Sequence, residues 1–293
     1  MNTDMLECRT MSQEPPLQTA VRRFDARRVY TVLILAPLLY AAIRYLPPLA
    51  FTGLVFAVGT VALLEFYRLG LSTSYDKPYV GIGLFGFTAV ILAPYSSPAL
   101  VPGLLAMLIV TLSIPLILRL PLDHVLKNAA VTLFGVLYLG ITLSFLVTTR
   151  LLPHGEWLVF FLLLVTWIGD TGAYYAGTIW GRHQLAPRIS PKKSVEGLAG
   201  GLIAATMAAY LARWWFLPTL SVVDCAVLAV LLTAVGLWGD LAESAMKRSV
   251  GAKDSGGVLP GHGGMLDRLD SLLFTAPTFY YYVTLVSRPE AFA

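Results

Sequence analysis

The sequence predicts an all-α integral membrane protein, a polytopic helical bundle of about nine transmembrane helices with its N-terminus in the cytoplasm. Composition is the first reason. Of 293 residues, 57% are hydrophobic and 13% are charged, whereas a soluble domain carries about 25% charged residues. So few charges cannot cover a water-facing surface. Spacing is the second reason. Nine apolar runs follow one another, most of them close to the roughly 20 residues that a bilayer-crossing helix needs. Charge asymmetry is the third. With the N-terminus inside, sixteen Lys and Arg residues fall on cytoplasmic segments, and only Arg44, Arg150, Arg213 and Arg288 fall at outer ends. That bias is the one that orients membrane proteins, and nine spans then put the C-terminus outside.

The elements follow in order. Residues 1–28 form a polar tail with Arg22, Arg23, Arg27 and Arg28. The apolar run 29–46 follows without a small-residue cleavage site, so it reads as a signal anchor with a retained tail. Further runs cover 49–69, 79–95, 98–118, 129–149, 157–180, 196–216, 222–243 and 270–287. Pro47-Pro48, Pro94, Pro121 and Pro153 fall at the joints, where proline belongs. The third run is short and glycine-rich. Three regions result: the tail, a scaffold of about five spans over 29–152, and a chemistry-bearing region of about four spans over 153–293. The scaffold is almost free of ionisable residues within spans, with Glu65 near a helix end. The last region holds two polar cytoplasmic loops, 181–195 and 244–268. Cys8 and Cys225 lie far apart and outside any metal-binding spacing, which gives no disulfide or zinc framework. No basic stripe with interleaved aromatics is present, which argues against nucleic acid.

Four constellations carry the chemistry. Asp170, between Gly169 and Gly172 in the sixth run, is a carboxylate inside a membrane helix, a costly placement that points to function. Ser190-Pro191-Lys192-Lys193 reads as an N-cap followed by the first helical positions. Two lysines at the positive end of a helix dipole are unfavourable, and a bound phosphate would resolve the conflict. Exposed lysines that serve only orientation are the plainer reading. Asp240, Glu243, Ser244 and Lys247 recur at three- and four-residue spacings and share one helix face. A Glu243–Lys247 pair would explain Lys247 but leaves Asp240 a turn deeper. Finally, Lys253, Asp254 and a run of glycines around His262 lead into Asp267, Arg268 and Asp270. Clustered carboxylates beside lysines suit a hard cation with a polyphosphate, since Mg²⁺ typically takes one or two carboxylates plus phosphate oxygens.

The stretch Ser244-x-Met246-Lys247-Arg248-x4-Lys253-Asp254-x-Gly256-x2-Leu259-Pro260-x-His262-Gly263-Gly264-Met265-x-Asp267-Arg268-Leu269-Asp270 resembles, without departure, the signature of phosphatidate cytidylyltransferases, the CDP-diacylglycerol synthases. Asp170-Thr171-Gly172-Ala173-Tyr174 and Ser190-Pro191-Lys192-Lys193-Ser194-x-Glu196-Gly197 resemble further segments of that family, with Val195 where many members carry an aromatic. The resemblance covers roughly 157–290. It implies transfer of a cytidylyl group from CTP to phosphatidic acid, with Mg²⁺ and room for a second cation. It places the enzyme as a multi-pass protein of the cell inner membrane with its site facing the cytoplasm. Under it, Asp240 and Asp267 are expected as catalytic metal ligands, with Asp270 as a third. Lys247 is expected to be catalytic. Lys192, Lys193, Arg248 and Lys253 would hold phosphates, and Asp170, Ser190, Glu196, Ser244, Asp254, His262 and Arg268 complete the substrate site. A homodimer is left open. Competing readings are an isoprenoid-lipid cytidylyltransferase, a polyprenol kinase and a transporter. A transporter would spread its polar groups near the midplane of both halves, whereas here they crowd one half and one face.

Overall fold

The computed structural model describes residues 26–71, 77–96, 100–117, 124–256 and 263–287. Each of the nine apolar runs is occupied by helix: α1 (Ala26–Tyr45), α2 (Pro48–Gly70), α3 (Lys77–Leu92), α4 (Leu100–Ile117), α5 (Val125–Gly135) continued by α6 (Thr142–Arg150), α7 (Gly155–Trp180), α8 (Val195–Trp215), α9 (Val222–Ser249) and α10 (Leu266–Leu285). Among the described residues, six stretches are long and apolar enough to cross a membrane: 48–70, 77–95, 125–150, 155–180, 195–215 and 222–249. Helices α1, α4 and α10 fall outside that measure.

Two boundaries differ from expectation. The second polar segment is not loop throughout 244–268, because α9 runs on to Ser249 and α10 already begins at Leu266. Polar residues end an apolar run, but they do not end the backbone ladder, so the helix outlasts the hydrophobic pattern. In the fifth run a π-helical turn, Val136–Ile141, joins α5 to α6. The π turn re-phases the side chains. Phe134 before the turn stacks on Tyr138 within it at 5.5 Å between centroids, and beyond the turn Phe145 meets Tyr280 and Tyr281 of α10.

The two halves pack differently. In the N-terminal half, glycines receive large side chains. A Cβ at Gly59 would meet Phe87 and Leu143, and one at Gly83 or Gly135 would meet Tyr67. The Tyr67 hydroxyl is locked by donating to the Thr132 carbonyl at 3.0 Å. In the C-terminal half, a row of glycines on α7 and α8 meets small side chains and backbone. A Cβ at Gly172 would meet the Ala204 methyl group and lie 2.9 Å from the Gly200 carbonyl oxygen, and one at Gly200 would meet that of Ala176 and lie 3.1 Å from the Gly172 carbonyl oxygen. Gly197 and Gly201 meet the Ala173 and Gly169 carbonyls in the same way, at 2.9 and 3.0 Å. Helices α7 and α8 are thereby seamed backbone to backbone, as small residues permit in membranes. At the opposite end of α7, Glu156 bridges Arg44 and Arg150, at 3.7 and 3.5 Å.

Candidate active site

The α7–α8 seam positions the first part of the site. Asp170 sits on α7 between the seam glycines Gly169 and Gly172 and lines a cavity of about 620 Å³. Arg182, Ser190, Lys192 and Lys193 line the same cavity on the side of the connecting segment, and Thr166, Leu232 and Thr233 line it deeper in the bundle.

The connecting segment corrects an expectation. Ser190–Ser194 is not the start of a helix but strand β2, paired antiparallel with β1 (Gln184–Ala186). Ser190 does not cap; Ser194 does, its hydroxyl accepting from the Gly197 amide at 3.1 Å. Helix α8 therefore carries Glu196, not lysines, in its first turn, which agrees with the helix dipole. The conflict that called for a phosphate at this helix start is absent. Glu196 also fastens the hairpin: its carboxylate accepts from the Arg182 and His183 amides at 3.0 and 3.3 Å and meets His183 Nδ1 at 2.6 Å. Strand geometry then separates the two lysines. Lys192 is exposed, and Lys193 turns inward to form an ion pair with Asp240 of α9. Burial works against the Lys193 charge, but Asp240 foremost, with Asp170 and Asp270 behind it, holds its pKa above the ordinary lysine value. Carboxylates on α7, α9 and α10 thus favour the charge of one ammonium, and Asp240 is the one that pairs with it.

A second cluster lies one turn further along α9. Lys247 donates to Glu243 at 2.9 Å and pairs with Asp267. Asp267 Oδ2 accepts from the Ser255 amide at 3.2 Å and from the Gly264 amide at 2.9 Å, which gathers both ends of the glycine-rich segment. The clusters adjoin because Gly239 lets α10 come close: a Cβ there would lie 2.5 Å from the Asp270 carbonyl oxygen. Ser244 is half-buried on α9. Arg248, Lys253, Asp254 and Arg268 are exposed, and Arg248 donates to the Ala252 carbonyl at 3.2 Å. His262 lies outside the described residues.

One residue joins the site from the presumed scaffold. Glu65 of α2 is 1% exposed, and its Oε2 accepts from the Leu266 amide at 2.9 Å and from the Ser255 hydroxyl at 3.4 Å. Its signal was available in the sequence, a carboxylate within an apolar run, but its position near a helix end disguised it.

Carboxylate oxygens are the donors a hard cation such as Mg²⁺ takes, and the residues that could offer them are Asp240 on α9 and Asp270 and Asp267 on α10. Among the described residues no three acidic, His or Cys side chains form a ready-made metal cage.

The fold and site define a polytopic helical membrane protein with a carboxylate–lysine centre at one end of its bundle. The chain belongs to the cytidylyltransferase family, whose model matches residues 26–286. It is 33% identical over 259 residues to a phosphatidate cytidylyltransferase of Bacillus subtilis, covering 87% of this chain and 96% of that protein. Similar proteins of the same name occur in Staphylococcus saprophyticus, at 33% identity over 81% of this chain and 93% of the relative, and in Staphylococcus aureus, at 34% with the same coverage.

Proposed function

We infer that the protein transfers the cytidylyl group of CTP to phosphatidic acid, giving CDP-diacylglycerol and releasing pyrophosphate. The observation that carries this is the pair of adjoining carboxylate–lysine clusters beside the cavity, built from the segments that match the family. Asp240 and Asp267, with Asp270, would hold Mg²⁺, which supplies charge neutralisation on the triphosphate and the leaving pyrophosphate. The chain's own groups do the positioning. Lys193 and Lys247 stand paired to Asp240 and Asp267. With a triphosphate bound, the two lysines would turn to phosphate oxygens, which would free the carboxylates that would hold the cation. Lys192 and Arg182 draw anions toward the cavity mouth. The phosphate of phosphatidic acid attacks the α-phosphorus in line. Such transfer depends on alignment and charge rather than on covalent help. A phosphate monoester has its second pKa near about 6, so no general base is required, and His262 is assigned to binding.

The site faces the cytoplasm of the cell inner membrane. The sixteen-to-four distribution of Lys and Arg supports this, as does the chemistry: CTP arrives from water while the lipid stays in the bilayer. Purified protein given labelled CTP and phosphatidic acid should form CDP-lipid and pyrophosphate in equal amounts. Activity on an isoprenoid phosphate instead would reassign the lipid. Asp240→Asn and Asp267→Asn should each abolish the Mg²⁺-dependent reaction while membrane expression stays intact, and near-normal turnover in either would sink the metal assignment.

A further inference from the structure

We propose that Glu65 is a positioning residue for this reaction: from the second span it fixes both ends of the glycine-rich segment and through them keeps Asp267 and Lys247 in register. This rests on the roles given above to those two residues.

The geometry is a clasp with two jaws. Ser255 gives its hydroxyl to Glu65 and its amide to Asp267, at 3.4 and 3.2 Å. On the far side of the segment, Leu266 gives its amide to Glu65 and Gly264 gives its amide to Asp267, both at 2.9 Å. The two carboxylates therefore grip the same two stretches of chain. Lys247 completes the arrangement by pairing with Asp267.

The first amides of a helix have no partner within it and are usually met by a local cap. Met265, which precedes α10, provides no side-chain cap. Glu65 supplies that acceptor from a helix some two hundred positions away in sequence, at the helix end where a negative charge is favoured. Two donors converge on its Oε2, so the position calls for an acceptor. The fit is close, since a Cβ at Gly264 would lie 2.7 Å from that oxygen.

The first test is amide hydrogen exchange on the detergent-purified full chain, without CTP or metal. Glu65→Ala should speed exchange of the Leu266 amide about tenfold or more, the size expected from a lost cap. Steady-state kinetics should show about a tenfold fall in kcat/KM for CTP and a higher Mg²⁺ requirement, with the KM for phosphatidic acid little changed. Glu65→Gln, which keeps an acceptor oxygen in the same place, should recover most of both losses. Unchanged exchange in Glu65→Ala would overturn the proposal, and so would a Gln variant as impaired as the Ala variant. If Glu65→Ala does not fold, Gly264→Ala takes its place. It presses a methyl group on the Ser255 hydroxyl and on the same Glu65 oxygen, the two sides of one clasp contact, and should show the same rapid exchange, and normal exchange there overturns the clasp. A protein inactive toward CTP and phosphatidic acid would refute the assigned reaction, whereas the exchange result would still decide the role of Glu65.

Discussion

The two halves of this bundle use glycine for opposite ends. In the N-terminal half Gly59, Gly83 and Gly135 are sockets for the rings of Phe87 and Tyr67. In the C-terminal half Gly172, Gly197, Gly200 and Gly201 let one backbone lie on another. A socket is filled by a side chain with rotamers, so it can give a little. A backbone seam cannot. The rigid seam is the one that bears Asp170 and the hairpin with Lys193, and the more adaptable packing lies in the half from which Glu65 reaches the site. Catalytic groups need placement within fractions of an ångström, and the stiffer construction is found where that need is greatest.

The contrast can be broken in three ways. The largest effect is expected from Gly172→Val. Its new atoms would meet Ala204 and the Gly200 carbonyl, neither of which can turn aside. Overpacking costs about 1–3 kcal/mol and occasionally more, and here the upper end or beyond is expected. The detergent-solubilised variant should lose its cooperative thermal transition, and activity should vanish with it. Gly83→Ala comes next. The added methyl group presses on the Tyr67 ring, held by its bond to the Thr132 carbonyl, at a cost of about 1–3 kcal/mol. Its Tm should fall while kcat of the folded fraction stays near normal. A kcat loss matching that of Gly172→Val would erase the distinction between the halves. The smallest effect is Tyr67→Phe, which removes one buried hydrogen bond and should cost about 1 kcal/mol in denaturant unfolding, with no change in KM for either substrate.

The fold was largely legible because bilayer-spanning helices announce themselves by length and apolarity, and all nine runs are helical. The ends were less so. At α9 the residues Asp240, Glu243, Ser244 and Lys247 already kept helical spacing, which reported the continued helix better than their polarity did. The hairpin was hidden for a different reason. Two short strands of polar residues show no apolar alternation, and Ser190-Pro191 imitates a helix start that Ser194 actually provides. Asp170, Lys193, Asp240, Lys247, Asp267 and Asp270 could be picked out by type. Their pairing, Lys193 with Asp240 and Lys247 with Asp267, depends on which helices adjoin. Glu65 shows the same limit, for its partners Ser255 and Leu266 become neighbours only when α2 meets α10.

The seam between α7 and α8 also bears on how such a chain can change over generations. A bulkier residue at Gly83 or Gly59 can be offset by trimming Tyr67 or Phe87, so two successive substitutions can travel together there. At Gly172 and Gly200, trimming Ala204 or Ala176 to glycine removes the nearest atom but leaves a peptide carbonyl at 2.9 or 3.1 Å, and the backbone has nothing left to remove. Substitutions along that line have no partner that compensates them fully. The stretch that holds Asp170 opposite the lysine hairpin is therefore closed to gradual drift, while the spans around Tyr67 remain free to exchange one packing for another.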